Sequence, residues 1–175
     1  MTRPELSAEH ILAVLNRHGV EYVVIGAFAA IAQGAPLEPT HDVDLTPRRS
    51  PDNLGRLSEA LSELGARVRA EDVEEGLVFS HDAASLARME MLNLTCPAGD
   101  FDLVFAPAAA PSGYDDLVQR SVAISVGRQH ARAASLEDVL RSKEEAGREK
   151  DIRALPLLRR FLGQRRDAGP SPDGP

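Results

Sequence analysis

The segment Asp42-Val43-Asp44 holds two carboxylates two residues apart in a short stretch that is typical of a β-strand. Successive side chains of a strand point to opposite faces, so both carboxylates lie on one face while Val43 and Leu45 point into a core. Like charges side by side repel each other unless a cation lies between them. The segment therefore predicts a sheet with a cation site on one face.

A third carboxylate comes from a predicted hairpin whose strands cover residues 89–95 and 101–105. In the second strand Phe101 and Leu103 share one face, and Asp102 points to the other. Asp100 competes for the same role, but it falls in the predicted turn, where aspartate often bends the backbone. Carboxylates on neighbouring strands suit a divalent metal, and bound metal supports phosphoryl chemistry.

Ahead of this acidic strand lies a candidate anion site. The apolar stretch 22–25 predicts a buried strand, Gly26 ends it, and residues 27–32 favour a short helix. A turn of this kind aims backbone N–H groups and the positive end of a helix at an anion. An anion site beside paired carboxylates suits a nucleoside triphosphate with bound magnesium.

Composition excludes several other classes of protein. Hydrophobic residues make up 43% of the 175 and charged residues 27%, as in an ordinary soluble domain. The net charge of −7 argues against broad binding to nucleic acid. No apolar run approaches the roughly 20 residues that cross a membrane, and the N-terminus lacks a signal-peptide pattern. Cys96 is the single cysteine, so we expect a cytoplasmic protein without a disulfide.

The predicted elements describe an α+β fold, a mixed sheet flanked by helices. Residues 1–133 form its core, residues 134–163 a C-terminal helical lobe, and residues 164–175 a disordered tail. Leucines at helical spacing predict a helix from Pro51 to Gly65. Shorter strands are predicted at 66–70, 77–81, 122–126 and 130–133. The last helix is predicted to cover about 149–162.

Two stretches together resemble a known superfamily. The first is VVIGAFAAI at 23–31, followed by Gly34 and by THDVDL at 40–45; the second is ASLEDVLRSK at 134–143, followed by GREKD at 147–151. In this order they resemble the nucleotidyltransferase superfamily, and within it the AbiEii-like bacterial branch. That branch includes toxin components of toxin–antitoxin systems.

The resemblance implies a nucleotidyltransferase-like fold and a set of roles. Asp42 and Asp44 match the metal-binding pair, and Asp102 matches the third catalytic carboxylate that helps to activate the attacking hydroxyl. The implied cofactor is Mg²⁺ or Mn²⁺, and the substrate is a nucleoside triphosphate. The implied nucleotide-binding residues are Gly26, Ala27, Thr40, Lys143 and Asp151.

The implied reaction transfers a nucleoside monophosphate to a hydroxyl acceptor, either RNA, such as transfer RNA, or a small molecule, with a cognate antitoxin as a further partner. Two positions depart from the family pattern. Ala27 stands where a serine or a second glycine is usual, and Glu38 stands where arginine is frequent and would repel a triphosphate if it pointed inward.

Those departures favour an alternative, a catalytically weak module that binds a nucleotide or a partner protein. A phosphatase-type hydrolase is a second alternative, because residues 42–46 also fit D-x-D-x-T. That chemistry needs a buried strand before Asp42, and residues 35–41 are too polar and proline-rich for one. For Lys143, the alternative to a nucleotide-binding role is that of a solvated residue on the surface of a helix.

Overall fold

The computed structural model describes residues 5–169. Its centre is an eight-stranded mixed sheet in the order β4-β3-β5-β6-β2-β1-β8-β7. The strands are β1 (Tyr22–Ile25), β2 (Asp42–Pro47), β3 (Arg67–Ala70), β4 (Val73–Leu77), β5 (Met91–Cys96), β6 (Gly99–Val104), β7 (Val122–Val126) and β8 (Gln129–Ala133). The helices are α1 (Ala8–Arg17), α2 (Gly26–Ala32), α3 (Pro51–Leu64), α4 (Ala83–Leu86), α5 (Tyr114–Val118), α6 (Leu136–Ala146) and α7 (Glu149–Asp167). The α+β class with a mixed sheet is confirmed.

The middle of the sheet sets the geometry that matters for function. β2 lies between β1, to which it is antiparallel, and β6, to which it is parallel. In the β2–β6 register Asp42 pairs with Asp100 and Asp44 pairs with Asp102. Paired residues of adjacent strands project to the same face, so all four carboxylates lie on one face of the sheet.

The opposite face of the same strands is apolar and completely covered. Val43, Phe101 and Leu103 have no measurable exposure, and Leu45 has 1%. The predicted leucine stripe of α3, Leu54, Leu57, Leu61 and Leu64, is also buried in the core. Removing such side chains from water is the main stabilising term of the fold. Strand alternation therefore separates a hydrophobic core from an acidic face.

Two boundaries differ from the sequence prediction. A strand covers Val73–Leu77 instead of 77–81, and it pairs with β3 through an irregular register. The helix at the C-terminus continues to Asp167, so residues 164–167 belong to it and not to the predicted tail. Of the rest of that predicted tail, residues 168–169 follow the helix and residues 170–175 lie outside the described residues.

A further correction concerns the hairpin of β5 and β6. Cys96 pairs with Gly99, so the connecting loop contains only Pro97 and Ala98. The loop is shorter than predicted, and Asp100 therefore lies in the strand instead of in the turn. Its exposure is only 5%.

In residues 5–169 we find no helix that is both long enough and apolar enough to span a membrane.

Candidate active site

Three of the four carboxylates on this face form a compact group. One oxygen from each of Asp42, Asp44 and Asp102 lies within 4.8 Å of the other two. We call these residues the acidic cluster. Mg²⁺ and Mn²⁺ prefer oxygen ligands, and this spacing allows all three side chains to reach one cation or a pair of cations. The cluster therefore fits a divalent metal.

The carboxylates of the acidic cluster repel one another. Burial first, and then the neighbouring charges of Asp42 and Asp102, raise the pKa of Asp44 from 3.8 to about 7, against a lowering effect of Lys150 and Arg148. Burial also raises the pKa of Asp102. A bound cation would relieve this repulsion, and its binding would release a proton near neutral pH.

Gly26 is required by its backbone and by its neighbour. Its φ is +69°, a conformation that L-residues other than glycine rarely adopt. A Cβ at this position would lie 2.4 Å from Oδ2 of Asp44. The turn that opens α2 is thus in direct contact with the acidic cluster, and only glycine allows this approach.

Thr40 supports the first carboxylate. Its Oγ1 donates a hydrogen bond of 2.7 Å to Oδ1 of Asp42. Such a bond fixes the rotamer of Asp42 and leaves its second oxygen available. The resemblance implies a nucleotide-binding role for Thr40, and that role stays a prediction beside this contact.

The acidic cluster lies at a cleft of about 800 Å³. Residues from both the sheet core and the C-terminal helices line it, so neither part forms the cleft alone. Every residue that the sequence analysis assigned to the site lines the cleft: Gly26, Ala27, Thr40, Asp42, Asp44, Asp102, Lys143 and Asp151. Glu38, the departure from the family pattern, lines it too.

Lys143 and Asp151 form an ion pair across the two C-terminal helices. Lys143 Nζ lies 3.0 Å from Oδ1 of Asp151, and Arg148 Nε lies 2.7 Å from Oδ2. Asp151 is fully buried. Burial raises the pKa of this carboxyl, but the hydrogen bonds from Arg148 and Lys143 outweigh it and hold the pKa below its usual value. The Lys143 side chain is 12% exposed, which excludes the solvated alternative.

Sequence reasoning did not assign Arg69, on β3, to the site. Its guanidinium forms ion pairs with Asp100, at 3.1 Å, and with Asp102. A short strand of alternating arginines gave no signal for this role. Only the strand order β3-β5-β6 brings Arg69 to the acidic face.

Comparison with known proteins supports the fold. No protein-family model matches the chain, and no curated protein matches it at a significant level. Among solved structures, it is similar to the antibiotic-resistance factor ANT(2'')-Ia, with a TM-score of 0.56 and 18% identity over 89% of this chain and 82% of that one.

Two further structures have the same TM-score of 0.56. ANT(2'')-Ia in complex with adenylyl-2''-tobramycin is 19% identical, and 89% of this chain aligns with 87% of that one. The lincomycin-bound lincosamide antibiotic adenylyltransferase LnuA is 12% identical, and 89% of this chain aligns with 98% of that one. The chain has the fold of these nucleotidyltransferases.

Proposed function

We propose that this chain is a magnesium-dependent nucleotidyltransferase that moves a nucleoside monophosphate from a nucleoside triphosphate to a hydroxyl acceptor. The observation that carries the proposal is the acidic cluster, which gathers carboxylates from β2 and β6 at a cleft in a nucleotidyltransferase fold. The resemblance of residues 23–45 and 134–151 to the superfamily points to the same activity.

The roles follow from position. Asp42, Asp44 and Asp102 would hold the divalent cation, with Thr40 fixing Asp42. A bound divalent metal neutralises the triphosphate and lowers the pKa of a hydroxyl close to it. Asp102, on the neighbouring strand β6, would receive the proton of the acceptor hydroxyl. The acceptor oxygen forms a bond to the α-phosphorus as the bond to pyrophosphate breaks.

The triphosphate would lie between the Gly26 turn and the C-terminal helices. Gly26 and Ala27 offer backbone N–H groups at the start of α2. Lys143 and Arg148 add positive charge from the other wall of the cleft, where Asp151 fixes their positions. Opposite charges on a triphosphate and on this wall favour binding.

For the acceptor we propose a small molecule with a hydroxyl group. Two of the similar structures are named for complexes with an adenylylated antibiotic and with lincomycin, which supports this class. RNA as acceptor, membership of the AbiEii-like branch, a toxin role with a cognate antitoxin and a cytoplasmic location rest on the sequence alone and stay predictions.

The test is incubation with each of the four nucleoside triphosphates, labelled at the α-phosphate, with total RNA, tobramycin or lincomycin as acceptor. We expect a labelled acceptor and released pyrophosphate with Mg²⁺, and neither with EDTA. Asp42→Asn and Asp44→Asn should remove the activity without unfolding the protein. Transfer that continues in either variant, or that continues in the presence of EDTA, contradicts the proposal.

A second candidate is a module that binds nucleotide without turnover. The position of Glu38 on the cleft favours it, because a carboxylate there would repel the phosphates and hold a bound nucleotide out of the alignment that transfer needs. The two candidates differ in pyrophosphate release, which only the enzyme produces. Glu38→Gln distinguishes them further, since it should strengthen nucleotide binding in either case but should create no turnover in a pure binding module.

A further inference from the structure

Arg69 bridges two carboxylates on the acidic face of the sheet. Its guanidinium binds Oδ2 of Asp100 at 3.1 Å through one terminal nitrogen and Oδ1 of Asp102 through the other. The side chain is 22% exposed, and those of Asp100 and Asp102 are 6% and 16% exposed. A planar guanidinium suits this bridge, because its donors have fixed directions.

We propose that Arg69 is a positioning residue for the metal site. By holding one oxygen of Asp102, it orients the carboxylate so that the side chain joins Asp42 and Asp44 in the acidic cluster. Partners that hydrogen-bond a ligating carboxylate are part of a metal site, and their loss typically weakens metal binding about 10- to 100-fold. The inference rests on the proposed metal-binding function of the cluster.

The positive charge of Arg69 would by itself repel a bound metal ion, but the negative charge of Asp100 offsets it. Asp100 is bound to the same guanidinium but lies outside the acidic cluster. Arg69 and Asp100 therefore bring opposite charges whose sum is zero. The pair orients Asp102 and leaves the charge of the cluster available to the metal.

The same reasoning shows how to separate orientation from charge. Arg69→Gln alone removes one positive charge from beside Asp100 and Asp102. The added net negative charge would strengthen metal binding, while the lost orientation of Asp102 would weaken it. The double variant Arg69→Gln/Asp100→Asn removes one charge of each sign. Its net charge at the site equals that of the wild type, so a change in metal binding reports orientation.

The experiment is titration of the metal-free protein with Mn²⁺ by isothermal calorimetry. We expect the double variant to bind Mn²⁺ about 10- to 100-fold more weakly than the wild type. Arg67→Gln is the matched control, since Arg67 is exposed on the same strand and forms no ion pair with the described carboxylates. It should bind Mn²⁺ as the wild type does.

Arg69→Lys provides a second readout that does not depend on the double variant. A single ammonium keeps the charge but lacks the fixed fork of donors, so we expect weaker Mn²⁺ binding than in the wild type by several-fold. If the double variant does not fold, as judged by circular dichroism, Arg69→Lys decides the matter. Wild-type affinity in a folded double variant, or in Arg69→Lys, overturns the inference.

This failure differs from failure of the proposed function. If the wild type binds no Mn²⁺, the metal-dependent function is wrong and Arg69 has no metal site to support. If the wild type binds Mn²⁺ and the variants bind it equally well, the function stands and only the role of Arg69 is wrong.

Discussion

Asp44 should destabilise the metal-free protein at neutral pH. The folded state raises the pKa of this carboxyl from 3.8 to about 7, so the folded state holds the proton more tightly than the unfolded state does. The stability that protonation gives is therefore fully present below about pH 4 and is lost as the pH rises towards 7. The perturbation that exposes this cost is Asp44→Asn, which keeps the shape and removes the charge.

The pKa values set the magnitude. A shift of about three pKa units, at about 1.4 kcal/mol per unit, corresponds to roughly 4 kcal/mol. Water in the open cleft screens part of the repulsion, so we expect the variant to gain about 2 kcal/mol or more in free energy of unfolding at pH 8. The gain should shrink as the pH falls towards 4, where the wild-type carboxyl is protonated.

The assay is urea unfolding of EDTA-treated wild type and Asp44→Asn, followed by circular dichroism at several values of pH. Saturating Mg²⁺ should stabilise the wild type at pH 8 and should have little effect on the variant. An equal or lower stability of the metal-free variant at pH 8 would refute the reasoning, because the buried charge would then carry no cost.

Three other substitutions test the geometry of the site. Gly26→Ala should cost about 1–2 kcal/mol in backbone strain and should weaken Mn²⁺ binding by displacing Asp44. Gly55→Ala is the control, because a Cβ at Gly55 meets nothing within 4 Å. It should leave Mn²⁺ binding unchanged and should keep or raise the stability measured by thermal unfolding. Thr40→Val should weaken Mn²⁺ binding several-fold in calorimetry, whereas Thr40→Ser, which keeps the hydroxyl, should retain it. Asp151→Asn should lower the free energy of unfolding by about 3 kcal/mol at pH 7, since it leaves the mostly buried Lys143 ammonium without its anion, while the exposed Arg148 is solvated. Because the pKa of Asp151 is depressed, its contribution is present above the pKa of the unfolded state, and the difference from the wild type in urea unfolding should fade as the pH drops below 4. A pH-independent difference would contradict this assignment.

Local patterns were sufficient to predict much of the fold. Alternation in residues 42–45 and 101–105 predicted which side chains enter the core, and Val43, Leu45, Phe101 and Leu103 are all buried. Leucines at helical spacing predicted a helix from Pro51 to Gly65, and α3 covers Pro51–Leu64 with Gly65 directly after it. These features depend on neighbours in sequence, which a single chain displays directly.

Contacts between distant strands were harder to predict. That Asp102 would join Asp42 and Asp44 was implied by resemblance, but the parallel register that places it there involves strands about sixty residues apart. Arg69 gave no signal because its partners, Asp100 and Asp102, reach it across β5. The strand Val73–Leu77 was missed because two glutamates and Gly76 hide its pattern, and an edge strand exposes much of its surface.

The central claim is that Asp42, Asp44 and Asp102 hold divalent metal beside the triphosphate of a nucleotide. The most direct measurement is a crystal structure of the protein with Mn²⁺ and a nucleoside triphosphate that has a non-hydrolysable α–β bridge. We predict anomalous difference density at one or two positions that together contact carboxylate oxygens of Asp42, Asp44 and Asp102 and an oxygen of the triphosphate. Triphosphate bound in the cleft with no such peak at these carboxylates, or Mn²⁺ bound only elsewhere, would contradict the account.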